Sequence, residues 1–162
     1  MDNTLSAANV STMEAMGTRS AAAGVAETVR FLGGIATWRE LRSSHPRRRI
    51  LRAASDGMVI RASKGRYVLP TASAHFTTAQ SRTAVLSHLS AAVHHGWKVK
   101  TVPTDAWVTV RRTRRLRRGQ REGIVPHWAA LDPGDVKHGV TTPLRTVLDC
   151  ARVLPFDEAL AV

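Results

Sequence analysis

The spacing of apolar residues between 22 and 72 predicts three short helices followed by a two-stranded hairpin. Val25, Val29 and Leu32 recur at helical spacing, and the pair Gly33-Gly34 is typical of a helix end. A second helix is predicted at TWRE, where Thr37 and Glu40 have the spacing of a capping box and Trp38 and Leu41 face inward. The segment SHPRRRILRAASDG, residues 44–57, predicts a third helix with Pro46 in its first turn and Gly57 at its end.

The third helix is amphipathic in an unusual way, because arginine dominates its polar side. A helical projection places Ile50 and Ala54, helped by Leu51 or Ala53, on the buried face. Arg48, Arg49 and Arg52 then project away from this face, and Arg47 lies nearer its edge. The next segment, MVIRASKGRYVLP, alternates apolar and polar residues on both sides of Lys64-Gly65, which predicts a hairpin closed by Pro70. Three helices and a basic hairpin are typical of a winged helix-turn-helix domain, which we expect over residues 22–72.

A winged helix-turn-helix domain places its third helix in the major groove of DNA. The helix would contact base edges, and the hairpin would hold phosphates without reading sequence. The alternative is that these cations form an ordinary solvated surface. We expect double-stranded operator DNA as the partner, bound by Arg47, Arg48, Arg49, Arg52, Arg61, Lys64 and Arg66.

The second half of the chain, residues 80–162, predicts a small α+β domain after a connection rich in Thr, Ser and Ala. The segment RTAVLSHLSAAVHHGW predicts a helix ending at Gly96, and the runs at 106–110 and 123–131 predict two strands. GVTTPLRTVLDCARVLP predicts a helix that starts at Pro143, with Arg145 and Asp149 paired on its outside. The apolar residues expected on one face of that helix are Leu144, Val147, Leu148 and Ala151.

A run of arginines, RRTRRLRRGQRE, lies between the two predicted strands. Its position predicts the end of one strand, a turn at Gly119 and the start of the next strand. At a sheet edge its guanidinium groups would contact DNA backbone, an acidic protein, RNA or only water. This second basic surface comprises Arg111, Arg112, Arg114, Arg115, Arg117, Arg118 and Arg121.

The net charge of +12 is distributed in blocks. Twenty arginines against four lysines favour bidentate contacts to phosphate and guanine. Residues 37–70 carry +7 and residues 96–121 carry +8, whereas residues 122–162 carry −3, which suits a partner other than nucleic acid. The first 21 residues are rich in Ser, Thr, Ala and Asn, which predicts a disordered leader.

The sequence gives no sign of export or of membrane insertion. Its start lacks the basic and apolar regions of a signal peptide, and no apolar run is long enough to span a bilayer. The single cysteine, Cys150, has apolar neighbours and is interpreted as a small buried residue. We therefore expect a cytoplasmic protein.

Catalytic chemistry is not indicated. The histidines His88, His94, His95, His127 and His138 have no cysteine pair or HExxH motif beside them, so we interpret them as structural or surface residues. The late acids Asp132, Asp135, Asp149, Asp157 and Glu158 form no recognisable metal-binding motif. We expect no catalytic residue, no metal and no cofactor.

The order of the segments GGIATWRELRSSHPRRRILRAASDGMVIRASKGRYVLP, LSHLSAAVHHG and GVTTPLRTVLDCARVLPFDEAL resembles the AbiEi family of type IV antitoxins and their regulator-like relatives. The likeness covers residues 25–162, and GRYVLP and TTPLRTVLDCAR are its most telling parts. It implies a winged-helix domain that represses its own operon. It also implies a second domain that neutralises a nucleotidyltransferase toxin, with the toxin or its RNA substrate as partner.

Many relatives of this type continue into a domain similar to very-short-patch-repair endonucleases. The sequence stops at Val162 just as the segment FDEALAV, residues 156–162, begins another amphipathic helix, which leads us to expect a fragment or a shortened relative. An alternative function is therefore the DNA-recognition part of such a nuclease, and a purely protein-binding role is a third.

Overall fold

The computed structural model describes residues 22–162 and has an α+β fold. The predicted leader, residues 1–21, lies outside the described residues. The chain divides into two compact units, which are described separately. Among the described residues, the first unit contains residues 22–61 together with Tyr67–Pro70, and the second contains Ala62–Arg66 together with Thr71–Val162.

The first unit contains the three predicted helices and strands of the predicted hairpin. Its elements are α1 (residues 22–31), β1 (Ile35–Thr37), α2 (Trp38–Ser44), α3 (Arg47–Ser55), β2 (Ile60–Ser63) and β3 (Arg66–Val68). The strands form one sheet in the order β1-β3-β2. Strand β1 was not predicted, and the tip of the hairpin, Ala62–Arg66, groups with the second unit.

Local sequence signals account for the ends of these helices. The predicted capping box at α2 is confirmed: the Glu40 amide donates to Thr37 Oγ1 at 3.3 Å, and the Thr37 amide donates to Glu40 Oε2 at 2.6 Å. Helix α3 follows Pro46 and ends before Gly57, whose φ of 71° is in the left-handed region. The predicted start of α2 and the predicted end of α3 are therefore confirmed, whereas Pro46 is the N-cap of α3 and does not lie in its first turn.

The core of the first unit lies between the three helices and the sheet. Its buried members include Val25 and Val29 from α1, Leu41 from α2, and Ile50 from α3. Ala53 is fully buried, whereas Ala54 is only partly buried and Leu51 is exposed. The inward face of α3 is therefore Ile50 and Ala53, which leaves its arginines outside as predicted.

The second unit packs helices against a five-stranded sheet. Its elements are α4 (Ala74–Ser81), β4 (Val85–Leu86), α5 (His88–His94), β5 (Ala106–Arg111), β6 (Ile124–Ala129), β7 (Val136–Lys137), β8 (Val140–Thr141), α6 (Pro143–Val153) and α7 (Phe156–Leu160). Two 3₁₀ turns lie at Arg118–Gln120 and Pro133–Asp135. The strand order is β6-β5-β4-β8-β7. None of the helices within residues 22–162 combines the length and apolar character that crossing a bilayer requires.

The single helix predicted over 82–97 is wrong. Val85 and Leu86 form strand β4, and the helix begins only at His88. Thr83 and His88 both have positive φ, 54° and 49°, which a continuous α-helix does not permit. The preceding segment, interpreted as a connection, contains helix α4, which Ser73 caps by accepting from the Phe76 amide.

The prediction for the arginine run is confirmed in part: Arg111 ends β5 and Gly119 lies in a turn, but the run does not continue into the next strand, which begins only at Ile124. Strands β5 and β6 are present, but they pair in parallel, with Ala106 opposite Ile124 and Arg111 opposite Ala129. Parallel neighbours need a connection that returns along the whole strand length. The arginines therefore occupy a crossover between strands, and Gly119 lies in its 3₁₀ turn.

Helix α6 is oriented opposite to its apolar pattern. Leu144, Val147, Leu148 and Ala151 are exposed, and the buried residues are Thr146, Asp149 and Cys150. The pair predicted on the outside, Arg145 and Asp149, is inside, with side chains only 14% and 6% exposed. Polar partners cause this: Thr146 Oγ1 lies 2.7 Å from Thr141 Oγ1, and Arg145 also binds Asp135. The predicted burial of Cys150 is confirmed, and burial raises the pKa of its thiol to about 11.

Candidate nucleic-acid interfaces

Helix α3 presents an exposed cationic surface in the first unit. Arg47, Arg48 and Arg49 are all exposed, whereas Ile50 and Ala53 of the same helix are buried; by helical spacing Arg48 lies opposite the buried face, and Arg47 and Arg49 flank it. Arg52 is also exposed, and its Nε donates to the Asp56 carboxylate at 3.0 Å. An ion pair this exposed is weak and is readily exchanged for another anion. The four arginines predicted to contact DNA from this helix therefore share one accessible surface.

His45 holds the turn between α2 and α3. The Thr28 hydroxyl donates to the Gly24 carbonyl at 3.0 Å, so it accepts from His45 Nε2 at 2.8 Å. Arg42 Nη1 donates to the His45 carbonyl at 3.0 Å. Burial, and then the nearby Arg49, lower the pKa of His45, which keeps the ring neutral with Nδ1 unprotonated. This neutral histidine links the start of α3 to α1, a role the sequence did not reveal.

The three hairpin cations are not equivalent. Arg61 and Lys64 are exposed, and Lys64 stands at the two-residue turn with Gly65, whose φ is 76°. Arg66 is half-buried, and its Nη1 donates to Oε1 of the fully buried Gln80 at 2.6 Å within the second unit. Arg61 and Lys64 are thus the hairpin side chains that the structure leaves most accessible to a phosphate.

A second cationic surface lies on the arginine loop, residues 111–121, of the second unit. All of its arginines except the half-buried Arg114 are exposed. The loop is held by the buried Leu116 and by Arg114, which donates to the Thr83 carbonyl at 2.9 Å. None of the ion pairs within residues 22–162 involves an arginine of this loop. The predicted second basic surface is therefore present, as a fixed crossover.

An aromatic side chain that the sequence analysis passed over lies beside this loop. Trp128 is on β6, the edge strand, and its indole Nε1 donates to the Arg114 carbonyl at 2.8 Å. Trp128 is 42% exposed, and the Arg121 guanidinium carbon lies over its ring, 5.7 Å from the centroid. The sequence placed Trp128 in a predicted strand, residues 123–131, but strand pairing was needed to bring it to the loop.

Two of the predicted structural histidines stack inside the second unit. The rings of His88 and His127 have centroids 3.8 Å apart, and Trp107 stacks on His127 at 5.0 Å. His88 Nδ1 is hydrogen-bonded to Ser87 Oγ at 2.9 Å. Burial, then the charges of His127 and Arg145, lower the pKa of His88 to about 3, and burial lowers the pKa of His127. The pair is therefore neutral at physiological pH.

The remaining histidines and acids are dispersed. His94 stacks on Phe76, and His95 Nε2 is hydrogen-bonded to the Thr141 carbonyl, whereas His138 is exposed. Asp135 and Asp149 converge on Arg145, and Asp157 pairs with Lys100. Among residues 22–162, His, Cys, Asp and Glu form no group of three that would hold a metal ion. These side chains stabilise the second unit through hydrogen bonds and ion pairs.

No protein-family model matches the chain, and no curated protein matches it in sequence.

Proposed function

We propose that the protein is a DNA-binding, antitoxin-type transcriptional regulator whose first unit acts as a winged helix-turn-helix. The observation that carries this proposal is the set of exposed arginines on α3, a helix whose buried side is formed by Ile50 and Ala53. The element order helix, strand, helix, helix, strand, strand, with a three-stranded sheet, supports it. A helix with this surface fits the major groove of duplex DNA.

The arginines of α3 have different roles in this proposal. Arg48 has no ion-pair partner among the described residues, so its planar guanidinium is free to bind O6 and N7 of a guanine. Arg52 first exchanges its contact with Asp56 for one with DNA. The exposed Arg61 and Lys64 hold phosphates. The neutral His45 maintains the angle at which α3 leaves the preceding turn.

The antitoxin part of the proposal is supported by the order of sequence segments that resembles the AbiEi family, from the α2–α3 region to TTPLRTVLDCAR. We propose that the protein acts in the cytoplasm, represses its own operon through the first unit, and counteracts a nucleotidyltransferase toxin through the second. The two activities then depend on different surfaces. Substitutions on α3 are expected to affect repression alone.

A cell-based experiment tests both activities together. A reporter under the protein's own upstream region is expected to be repressed by the wild type and released when Arg47, Arg48, Arg49 and Arg52 are all changed to Gln. The same variant is expected to protect cells from a nucleotidyltransferase encoded beside the gene, because the second unit is unchanged. Arg152→Gln, an exposed arginine of α6, is the matched control and is expected to repress normally.

The outcomes separate the two halves of the proposal. A reporter that responds equally to the wild type and to an empty vector would contradict the regulatory half. Cells that stop growing despite abundant wild-type protein would contradict the antitoxin half, whatever the reporter shows.

A further inference from the structure

The arginine loop concentrates positive charge without internal compensation. Seven arginines occupy eleven positions, and none belongs to an ion pair within residues 22–162. Such a density costs stability through self-repulsion, which a bound polyanion would relieve. Positive charge alone would attract duplex DNA, single-stranded nucleic acid or an acidic protein. The geometry of the loop indicates which of these polyanions it fits.

The geometry is that of a fixed surface. Parallel pairing of β5 and β6 fixes both ends of the loop, and Leu116 anchors its centre in the core. The Arg117 amide donates to Gln120 Oε1 at 2.9 Å, which closes the 3₁₀ turn. Arg112, Arg115, Arg117 and Arg118 are exposed on this frame. A ligand therefore meets guanidinium groups on an ordered backbone and does not have to order a free chain.

The aromatic ring of Trp128 distinguishes between the possible polyanionic ligands. Its indole Nε1 donates to the Arg114 carbonyl, and the residue is 42% exposed with the Arg121 guanidinium over its ring, 5.7 Å from the centroid. An exposed ring beside arginines is the arrangement on which unpaired bases stack. Bases in a duplex are already stacked on each other, and an acidic peptide has no ring face to offer. The Trp128 ring would be of little use to either of those partners.

We propose that the arginine loop and Trp128 form a binding site for single-stranded nucleic acid, with phosphates on the loop arginines and a base on the indole. The site belongs to the second unit and is independent of the duplex-binding role proposed for α3. It extends the proposed function, because a regulator with this site would engage RNA or an opened DNA strand as well as its operator.

The test uses the full chain and fluorescein-labelled 20-nucleotide oligouridylate, oligodeoxythymidylate and a mixed-sequence duplex of equal length, measured by fluorescence anisotropy. Changing Arg112, Arg115, Arg117 and Arg118 to Gln is expected to weaken single-strand binding at least tenfold and to reduce its salt dependence, because several phosphate contacts are lost. Duplex binding is expected to change by less than about threefold, because it depends on α3. The Gln variant of the four α3 arginines is the matched control and is expected to show the reverse pattern.

Two substitutions at Trp128 separate stacking from folding. Trp128→Ala is expected to lose roughly tenfold in single-strand affinity, whereas Trp128→Phe keeps a ring for stacking and is expected to stay within about threefold of wild type. Circular dichroism and thermal unfolding verify that each variant is folded. Trp128→Phe removes the bond to the Arg114 carbonyl, so retained binding in this variant supports stacking and not loop anchoring.

Three results would overturn the proposal. The first is single-strand affinity unchanged by the loop arginines in folded protein. The second is a duplex that loses as much affinity as the single strand in the loop variant, which would make the loop a duplex-backbone surface. The third is polyglutamate competing as well as oligonucleotide at equal charge, which would make it an acidic-protein surface. None of these results affects the role proposed for α3.

Discussion

His88 combines a strained backbone with a buried ring. Its φ of 49° is in the left-handed region, and its side chain is enclosed by Ser87, Trp107 and His127. Burial disfavours the charged form of this ring, so the folded protein favours the neutral His88. The sequence predicted a structural histidine but gave no sign of the stacked pair, since His127 is 39 positions away and reaches His88 only through the pairing of β5 with β6.

The pKa of His88 predicts how stability depends on pH. Folding lowers the pKa of His88 from 6.5 to about 3. Between these pH values the His88 ring is protonated in the unfolded chain but not in the folded protein. The contribution of the neutral His88 to the free energy of unfolding is fully present above pH 6.5 and is lost as the pH falls toward 3. From pH 7 to pH 5 the free energy of unfolding is expected to fall by about 2 kcal/mol through this residue.

Urea denaturation of the wild type and of His88→Asn at pH 7 and pH 5 measures that contribution. Asparagine tolerates positive φ but does not titrate, so the variant is expected to lose less stability than the wild type between the two pH values. His138→Asn is the matched control, because His138 also has positive φ, 51°, but is exposed. Equal losses in the wild type and His88→Asn would show that the folded His88 takes up the proton as easily as the unfolded one.

At the level of elements, sequence patterns predict helix ends and turns correctly where residues close together in the chain determine them. The capping box of α2, Pro46 and Gly57 around α3, and the Lys64-Gly65 turn are all formed by neighbours in the chain. Patterns fail where distant pairing decides the structure. Nothing in the sequence near Thr83 indicates its positive φ, and nothing near the arginine loop indicates that β6 lies parallel to β5. The candidate site on α3 was therefore predictable, but the contact of Trp128 with the loop was not.

Substitutions in helix α6 can test whether its buried face is the one in the structure or the one that the apolar spacing predicts. The apolar pattern predicts Leu144 inside, whereas the structure exposes 73% of it and buries Thr146 completely against Thr141. Thr146→Val keeps the shape but leaves the Thr141 hydroxyl without this partner, so it is expected to lower the free energy of unfolding by about 1–3 kcal/mol. Leu144→Gln is expected to change it by less than about 0.5 kcal/mol, as is usual for a surface substitution.

Chemical denaturation of both variants decides the orientation of α6. A larger loss of stability in Leu144→Gln than in Thr146→Val would mean that the apolar face is the buried one.

At the scale of the whole molecule, most of the positive charge lies in two basic regions, and the backbone that carries the arginines differs between them. In the first unit the arginines project from a helix whose other face is core. In the second they project from a strand crossover beside an exposed indole. A helix presents side chains to the edges of paired bases, whereas a loop with a free ring suits unpaired ones. The two regions are therefore expected to differ in the nucleic acid they bind.

The central claim is that α3 reads base sequence in duplex DNA, and the most direct measurement compares affinity for the protein's own upstream duplex with affinity for a scrambled duplex at several salt concentrations. Arg48→Ala is expected to reduce the ratio of the two affinities by roughly 1–3 kcal/mol, because a bidentate guanine contact is lost. Lys64→Ala is expected to weaken both duplexes equally and to lower the salt slope by about one, as a phosphate contact would. If Arg48→Ala weakens both duplexes by the same factor and leaves their ratio unchanged, α3 does not read the sequence and the account is contradicted.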